Sequence, residues 1–189
     1  MPEGLQVETV VPDGPVPRDA RGEGALWVVT PAQLLRLTLE ADEHGKVRGE
    51  KLAVVAAVGS PNGAVARAAD GSLLLADGGA VKRVTKEGRV TEVVAASAGI
   101  GELFGLALAG DGSLRLADWE RGRLLLFKDG VLSELATALE HPSGLVLAKD
   151  GTLLFKESGR QSNTTARVRR VAADGKVFLV AELKRDAAR

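Results

Sequence analysis

Apolar residues occur along the chain in short runs, and most runs end in a turn that contains glycine. Typical runs read SLLLAD, SLRLAD and TLLFKE, and each is followed by a further short apolar run. Short apolar runs bounded by glycine turns are typical of β-strands, whereas amphipathic helices need a 3.6-residue period over a longer stretch. The pattern therefore predicts an all-β protein with almost no helix.

Asp-Gly pairs join many of the predicted strands. Asp-Gly between apolar runs is the strongest short hairpin signal, because a two-residue turn with positive φ suits both residues. Each pair therefore predicts that the strands on either side of it are adjacent and antiparallel. The pairs are Asp70-Gly71, Asp111-Gly112, Asp129-Gly130, Asp150-Gly151 and Asp174-Gly175.

The strands repeat as a unit. Four segments share an opening with a glycine, at Gly4, Gly63, Gly105 and Gly144, and the last two spacings are 42 and 39 residues. Four antiparallel strands in a period of this length, without helix, predict the blade of a β-propeller. We expect a single propeller domain over residues 1–189, in which residues 12–24 replace the first tight turn with a loop. Its predicted blades are residues 2–58, 61–97, 103–139 and 142–183.

Composition narrows the function classes. The chain is 45% hydrophobic and 26% charged, which is typical of a folded domain rather than a disordered one. Its 25 Lys and Arg residues balance its 25 Asp and Glu residues, so nucleic acid is not an expected partner. With no cysteine, thiolate chemistry is excluded. No signal sequence or long apolar run is present, so we expect a soluble, cytoplasmic protein without a membrane partner.

The repeat resembles known propeller families. Pro-x-Gly-Leu-x-Val, Asp-Gly-x-Leu-x-x-Ala-Asp and an Arg-containing third strand are similar to the repeats of NHL proteins and of the gluconolactonase, senescence-marker-protein, luciferin-regenerating and strictosidine-synthase-like families. Those families ordinarily have six or more blades. Three arrangements therefore stay open for four blades: a closed ring, an arc completed by a partner chain, or a fragment of a larger propeller. An arc would expose two sheet edges and favour self-association.

The resemblance to gluconolactonase-like enzymes implies a divalent metal, commonly calcium, in the central channel. The first strands line that channel, and Glu3, Asn62, Phe104 and Ser143 occupy the matching positions of their openings. Glu3, Asn62 and Ser143 are the predicted metal ligands, because calcium prefers oxygen ligands. Calcium takes six to eight such ligands, so these residues supply part of a site. The alternative is that Glu3 and Asn62 only precede the turn into the strand.

Three acids recur at the ends of the second strands, namely Asp77, Asp118 and Glu157. Together with Phe104 they are predicted to surround a ligand on one face of the propeller. The alternative is a structural role, as in an ion pair between Asp118 and Arg123. His44 and His141 have no spacing typical of a zinc site or a catalytic triad.

Two functions follow from these residues. The first is a lactonase-like hydrolase, in which a channel metal polarises a lactone carbonyl and activates water. The second is a non-catalytic, NHL-like propeller that binds a small molecule or a protein. The sequence assigns no catalytic residue and no particular substrate.

Overall fold

The computed structural model of the protein describes most of the chain. The described residues are 9–12, 24–30, 32–41, 47–59, 61–158, 165–172 and 175–184. Within these ranges the protein is almost entirely β-structure, with a single 3-10 turn at Ala96–Ala98. The same ranges contain no helix of the length and apolar character needed to cross a membrane.

Sixteen strands form four antiparallel sheets of four strands each, which we number as blades 1 to 4. Blade 1 contains β1 (Thr9–Pro12), β2 (Gly24–Val29), β3 (Gln33–Ala41) and β4 (Val47–Ala57). Blade 2 contains β5 (Pro61–Arg67), β6 (Leu73–Asp77), β7 (Ala80–Val84) and β8 (Val90–Val94). Blade 3 contains β9 (Leu103–Leu108), β10 (Leu114–Asp118), β11 (Arg123–Lys128) and β12 (Val131–Ala136). Blade 4 contains β13 (Pro142–Leu147), β14 (Leu153–Ser158), β15 (Thr165–Val171) and β16 (Val177–Lys184).

The strands of each blade pair in sequence order, which confirms the predicted hairpins. The turn geometry differs from the prediction at Asp70-Gly71, where only the glycine has a positive φ, of 81°. There the Gly71 N–H donates to the Ala68 carbonyl over 2.9 Å, and Ala68 and Ser72 close the hairpin. This is a three-residue connection ending in a left-handed glycine. Both turn residues have positive φ only at Asp129-Gly130 among the described Asp-Gly pairs.

The first strand of each blade lies innermost. Strand β5 contacts β1 and β9, and β9 in turn contacts β13, so the four blades follow one another around the channel. Within the described ranges, β1 makes no contact of similar extent with β13. Four blades in this arrangement fit a partial propeller.

Glycine allows two innermost strands to approach closely. A Cβ at Gly105 would lie 2.8 Å from Leu145 Cγ and 2.9 Å from Ala117 Cβ. Gly63, Gly105 and Gly144 are each the third residue of an innermost strand, which confirms their predicted equivalence. Gly4 lies outside the described residues, as does most of the predicted loop at residues 12–24.

Aliphatic side chains fill the space between adjacent blades. Leucine predominates in the three core clusters, and among the described residues Phe155 is the only aromatic side chain fully buried in them. Burial of each such side chain contributes roughly 1.5–3 kcal/mol. Each cluster takes members from two neighbouring blades, such as Leu34 and Leu73, Leu74 and Leu116, and Ala117 and Phe155.

Candidate functional site at the mouth of the channel

The predicted channel residues lie where the innermost strands begin, an edge that we call the channel mouth. Asn62, Phe104 and Ser143 are the second residues of β5, β9 and β13, and each is half-buried. Because β9 contacts both β5 and β13, the three residues occupy matching positions on neighbouring strands. Glu3 lies outside the described residues, so its predicted place beside Asn62 stays a prediction.

Asn62 carries an unsatisfied polar group at this mouth. Its Nδ2 atom is buried and has no hydrogen-bond partner within the part of the chain that the structure describes. A buried polar group without a partner costs about 1–3 kcal/mol, and most such groups in folded proteins are satisfied. An acceptor on a bound molecule would recover this cost.

An aromatic stack stands beside the innermost strands. Phe104 and Trp119 have ring centroids 5.2 Å apart with a tilt of 41°. Trp119 in turn stacks on His141, with centroids 4.2 Å apart and the planes 17° from parallel. All three side chains are half-buried, so part of the stack is accessible at the mouth. Stacked and tilted pairs of this kind are each worth about 0.5–1.5 kcal/mol beyond their buried area.

Backbone contacts hold the stack in place. The Trp119 N–H donates to the Glu102 carbonyl over 2.8 Å, which fixes the turn after β10 against the start of β9. His141 precedes β13 and has a φ of 50°, a left-handed conformation that is uncommon for a residue other than glycine. Outliers of this kind cluster at functional sites. Sequence reasoning missed Trp119 and gave His141 no role, because the two residues are distant in sequence.

Asp118 is completely buried and fully engaged by protein groups. It accepts the backbone N–H groups of Gly101 and Arg121, each over 3.2 Å. Arg123 Nε donates to Asp118 Oδ2 over 2.9 Å, so the ion pair predicted as the structural alternative is present. Burial lowers the pKa of the Arg123 guanidinium, but hydrogen bonds to Glu134 and Asp118 outweigh this and hold the pKa above its ordinary value.

The same arrangement recurs in blade 4. Glu157 is buried and accepts the Glu140 N–H over 2.8 Å. Arg169 Nε lies 2.7 Å from Glu157 Oε2, an ion pair without hydrogen-bond geometry. Arg167 also approaches the same carboxylate oxygen, at 3.9 Å.

In blade 2, Asp77 accepts the Gly59 N–H over 3.2 Å and pairs with Lys82. Gly59, Gly101 and Glu140 lie in the linkers that enter blades 2, 3 and 4. We use the term latch for each buried acid, its linker N–H and its basic partner on the third strand. Protein groups already contact all three carboxylates, of Asp77, Asp118 and Glu157. Their predicted role in binding a ligand stays a prediction.

The described residues supply few metal ligands at the mouth. Among them, no group of three or more His, Cys, Asp or Glu side chains is arranged to hold a metal ion. Asn62 and Ser143 offer neutral oxygen atoms. Glu3 would add the only carboxylate of the predicted set.

Comparisons with known proteins support the fold. No family model and no curated protein matches the chain. Among solved structures, a gluconolactonase from Xanthomonas campestris is 18% identical, with a TM-score of 0.58, over 85% of this chain and 58% of that one. The calcium-binding protein regucalcin from Agrobacterium tumefaciens is 17% identical, with a TM-score of 0.61, over 85% of this chain and 57% of that one.

A chain of the nidogen/laminin complex is 20% identical, with a TM-score of 0.64, over 85% of this chain and 62% of that one. This chain therefore spans about three fifths of the length of these structures. All three are β-propellers, so the similarity confirms the predicted fold. Neither of the two functions follows from it, since one propeller fold hosts many activities.

Proposed function

We propose that the protein is a ligand-binding β-propeller whose channel mouth takes a small cyclic organic molecule. The aromatic stack of Phe104, Trp119 and His141 carries the proposal, because it places accessible ring surface beside the innermost strands. Aromatic surface with a few convergent polar groups is the usual composition of a small-molecule site.

Asn62 defines the polar side of the ligand. Among the described residues its buried Nδ2 has no partner, so a carbonyl or ring oxygen of the ligand is the complementary group. A lactone combines a ring that packs on an aromatic surface with a carbonyl that accepts such a hydrogen bond. The solved structure of a gluconolactonase among the similar propellers agrees with this ligand class.

Tryptophan fluorescence tests the proposal. The chain has two tryptophans, Trp27 and Trp119. Titration with glucono-1,5-lactone is expected to change the emission saturably in the parent protein. Trp27→Phe should keep the response, whereas Trp119→Phe should remove it. A linear response, or a saturable one that persists in Trp119→Phe, would contradict binding at the stack.

A metal-dependent lactone hydrolase is the second candidate. Turning the Asn62 amide by 180° would place its oxygen where Nδ2 now lacks a partner, so this side chain fits a metal ligand. Ser143 and Glu3 would supply further oxygen atoms. A bound divalent cation would polarise a lactone carbonyl and lower the pKa of water. The similarity to calcium-binding regucalcin agrees with calcium as the ion.

Thermal unfolding distinguishes this candidate. A site with so few protein oxygen atoms binds calcium weakly, so added calcium should raise Tm only at high concentration. Glu3→Gln should abolish that rise and leave the calcium-free Tm nearly unchanged. If calcium leaves the parent Tm unaltered, or raises the Tm of the variant equally, Glu3 is not a ligand and binding without a metal is favoured.

A further inference from the structure

A second concave site lies between blades 2 and 3. It has a volume of about 700 Å³, within the range of pockets that hold small molecules. The turns after β5 and β9 contribute Asp70 and Gly112 to its lining. These turns follow the C-terminal ends of the innermost strands, whereas the channel mouth is at their N-terminal ends. The cleft is therefore separate from the site proposed above.

The floor of the cleft is apolar and comes from both blades. Leu74 and Leu114 are buried core residues that form its base. Val93, Leu108 and Phe127 are partly buried and pack against the same core cluster. An apolar group bound in this cleft would cover these three side chains, which the two blades bury only in part.

The rim of the cleft carries charged side chains. Its lining includes two guanidinium groups, of Arg67 and Arg83, and one carboxylate, of Asp70. Arg83 donates from Nε to Ser72 Oγ over 2.7 Å and from Nη2 to Asp70 Oδ2 over 2.6 Å. Within the described part of the chain, no residue accepts a hydrogen bond from Arg83 Nη1. The side chain is thus oriented by two contacts and keeps a donor for an incoming oxyanion.

The cleft between blades 3 and 4 provides a comparison. It has a volume of about 580 Å³ and also includes an arginine of its third strand, Arg170. The Arg170 guanidinium lies 4.5 Å from the ring centroid of Phe178, on the outermost strand of the same blade. An aromatic ring thus covers this guanidinium, whereas Arg83 is fixed by Ser72 and Asp70 at the cleft wall.

We propose that the cleft between blades 2 and 3 binds a small amphipathic carboxylate. The apolar floor takes the hydrocarbon part, and Arg83 Nη1 binds the carboxylate through a charge-assisted hydrogen bond.

Isothermal titration with decanoate, below its micelle concentration, tests the proposal, and decanol serves as the uncharged comparison. The parent protein should bind decanoate saturably and decanol at least tenfold more weakly. Arg83→Gln should raise the Kd for decanoate about tenfold, as expected for loss of a charge-assisted hydrogen bond. Arg83 is partly exposed, so this variant should fold. Equal affinities for the two compounds, or an unchanged Kd in the variant, would overturn the proposal.

Gly110 allows the cleft to be filled without touching its arginines. It lines the cleft, and a Cβ at this position meets no atom within 4 Å. Gly110→Phe should abolish decanoate binding, and Gly110→Ala should keep it within twofold of the parent. Trp119→Phe should also leave decanoate binding unchanged, which separates this site from the channel mouth. Retained binding in Gly110→Phe, or loss in Trp119→Phe, would place the ligand elsewhere.

Discussion

Three aspartates order their turns through the same hydrogen bond. Asp70, Asp111 and Asp150 each accept the backbone N–H of the residue two positions later, over 3.0, 3.0 and 2.9 Å. A hydroxyl-bearing residue stands at that later position in every case, at Ser72, Ser113 and Thr152. Short side chains that accept such a bond favour the turn over an extended backbone. The glycine that follows each aspartate then supplies the left-handed residue.

These contacts make the turns sensitive to acid. The Ser113 hydroxyl and backbone N–H, with help from Lys128, hold the pKa of Asp111 far below its ordinary value of 3.8. Because the folded pKa is depressed, the stabilisation is fully present above pH 3.8 and is lost as pH falls through the folded pKa. Asp111→Asn should therefore lower Tm slightly at pH 7, because Asp111 is exposed and solvent screens its charge, and the difference should shrink below about pH 4.

Thermal unfolding between pH 2 and pH 7 provides the measurement. Asp129→Asn is the matched control, because Asp129 lies in the two-residue turn with different geometry and Asn tolerates its positive φ. It should show a smaller Tm change with weaker pH dependence. A difference between parent and Asp111→Asn that stays constant down to pH 2 would contradict the role given to the carboxylate.

At the scale of elements, the latches connect blades 2, 3 and 4 to the linkers that enter them. The acid at the end of the second strand receives a linker N–H and a basic side chain from the third strand. The contact fixes the chain reversal between consecutive blades. Removing a buried, paired charge is costly because its partner is left without compensation.

Asp118→Asn should therefore destabilise the protein by about 2–3 kcal/mol, below the usual cost of breaking a buried pair because Arg123 keeps Glu134. Glu134→Gln removes the half-exposed carboxylate partner of Arg123, which also donates to the Gly99 carbonyl, and should cost less than about 1 kcal/mol. Urea unfolding of both variants measures the difference. Equal losses of unfolding free energy in the two variants would mean that the buried carboxylate of Asp118 contributes no more to stability than the half-exposed carboxylate of Glu134.

The strands were predictable from sequence because alternation, glycine turns and a 40-residue period all indicate the same unit. The latch was only half predictable. The pairing of Asp118 with Arg123 is local, since the two face each other across one hairpin. Its N–H donor is the backbone of Gly101, which no side-chain pattern reveals.

The site was less predictable than the fold. Trp119 and His141 meet because one follows the second strand of blade 3 and the other precedes the first strand of blade 4. Only the packing of consecutive blades brings them together. The predicted positions of Asn62, Phe104 and Ser143 were accessible from sequence because the repeat places them at matching strand starts.

At the scale of the whole molecule, blade 4 presents a face unlike those of the other blades. Ala76 and Ala117, at the same position of their second strands, are completely buried against the next blade. Lys156 occupies this position in blade 4 and is exposed. The outermost strand of blade 4 also exposes apolar side chains, including Phe178 and Leu183. Exposed apolar side chains on an outer strand favour association.

We therefore expect the chain to self-associate with rising concentration through blade 4. Leu183 is 66% exposed, and Leu183→Lys should shift the association to higher concentration by placing a charge on this strand. Val131→Lys is the control, since Val131 is 67% exposed on the outermost strand of blade 3. Light scattering over a concentration series gives the measurement. A monomer at every concentration, or equal effects of the two variants, would contradict association through blade 4.

The latches also determine how the molecule should respond to force. Each one secures the entry of a single blade, so tension applied at the C-terminus loads the latch at Glu157 before the one at Asp118. Blades that contact only their neighbours can then detach one after another rather than all at once. Each detachment would release one repeat of the chain, about 40 residues, or about 140 Å of extended polypeptide. The protein should accordingly lengthen under load in separate steps, which are of similar length for the shorter repeats of blades 2 to 4.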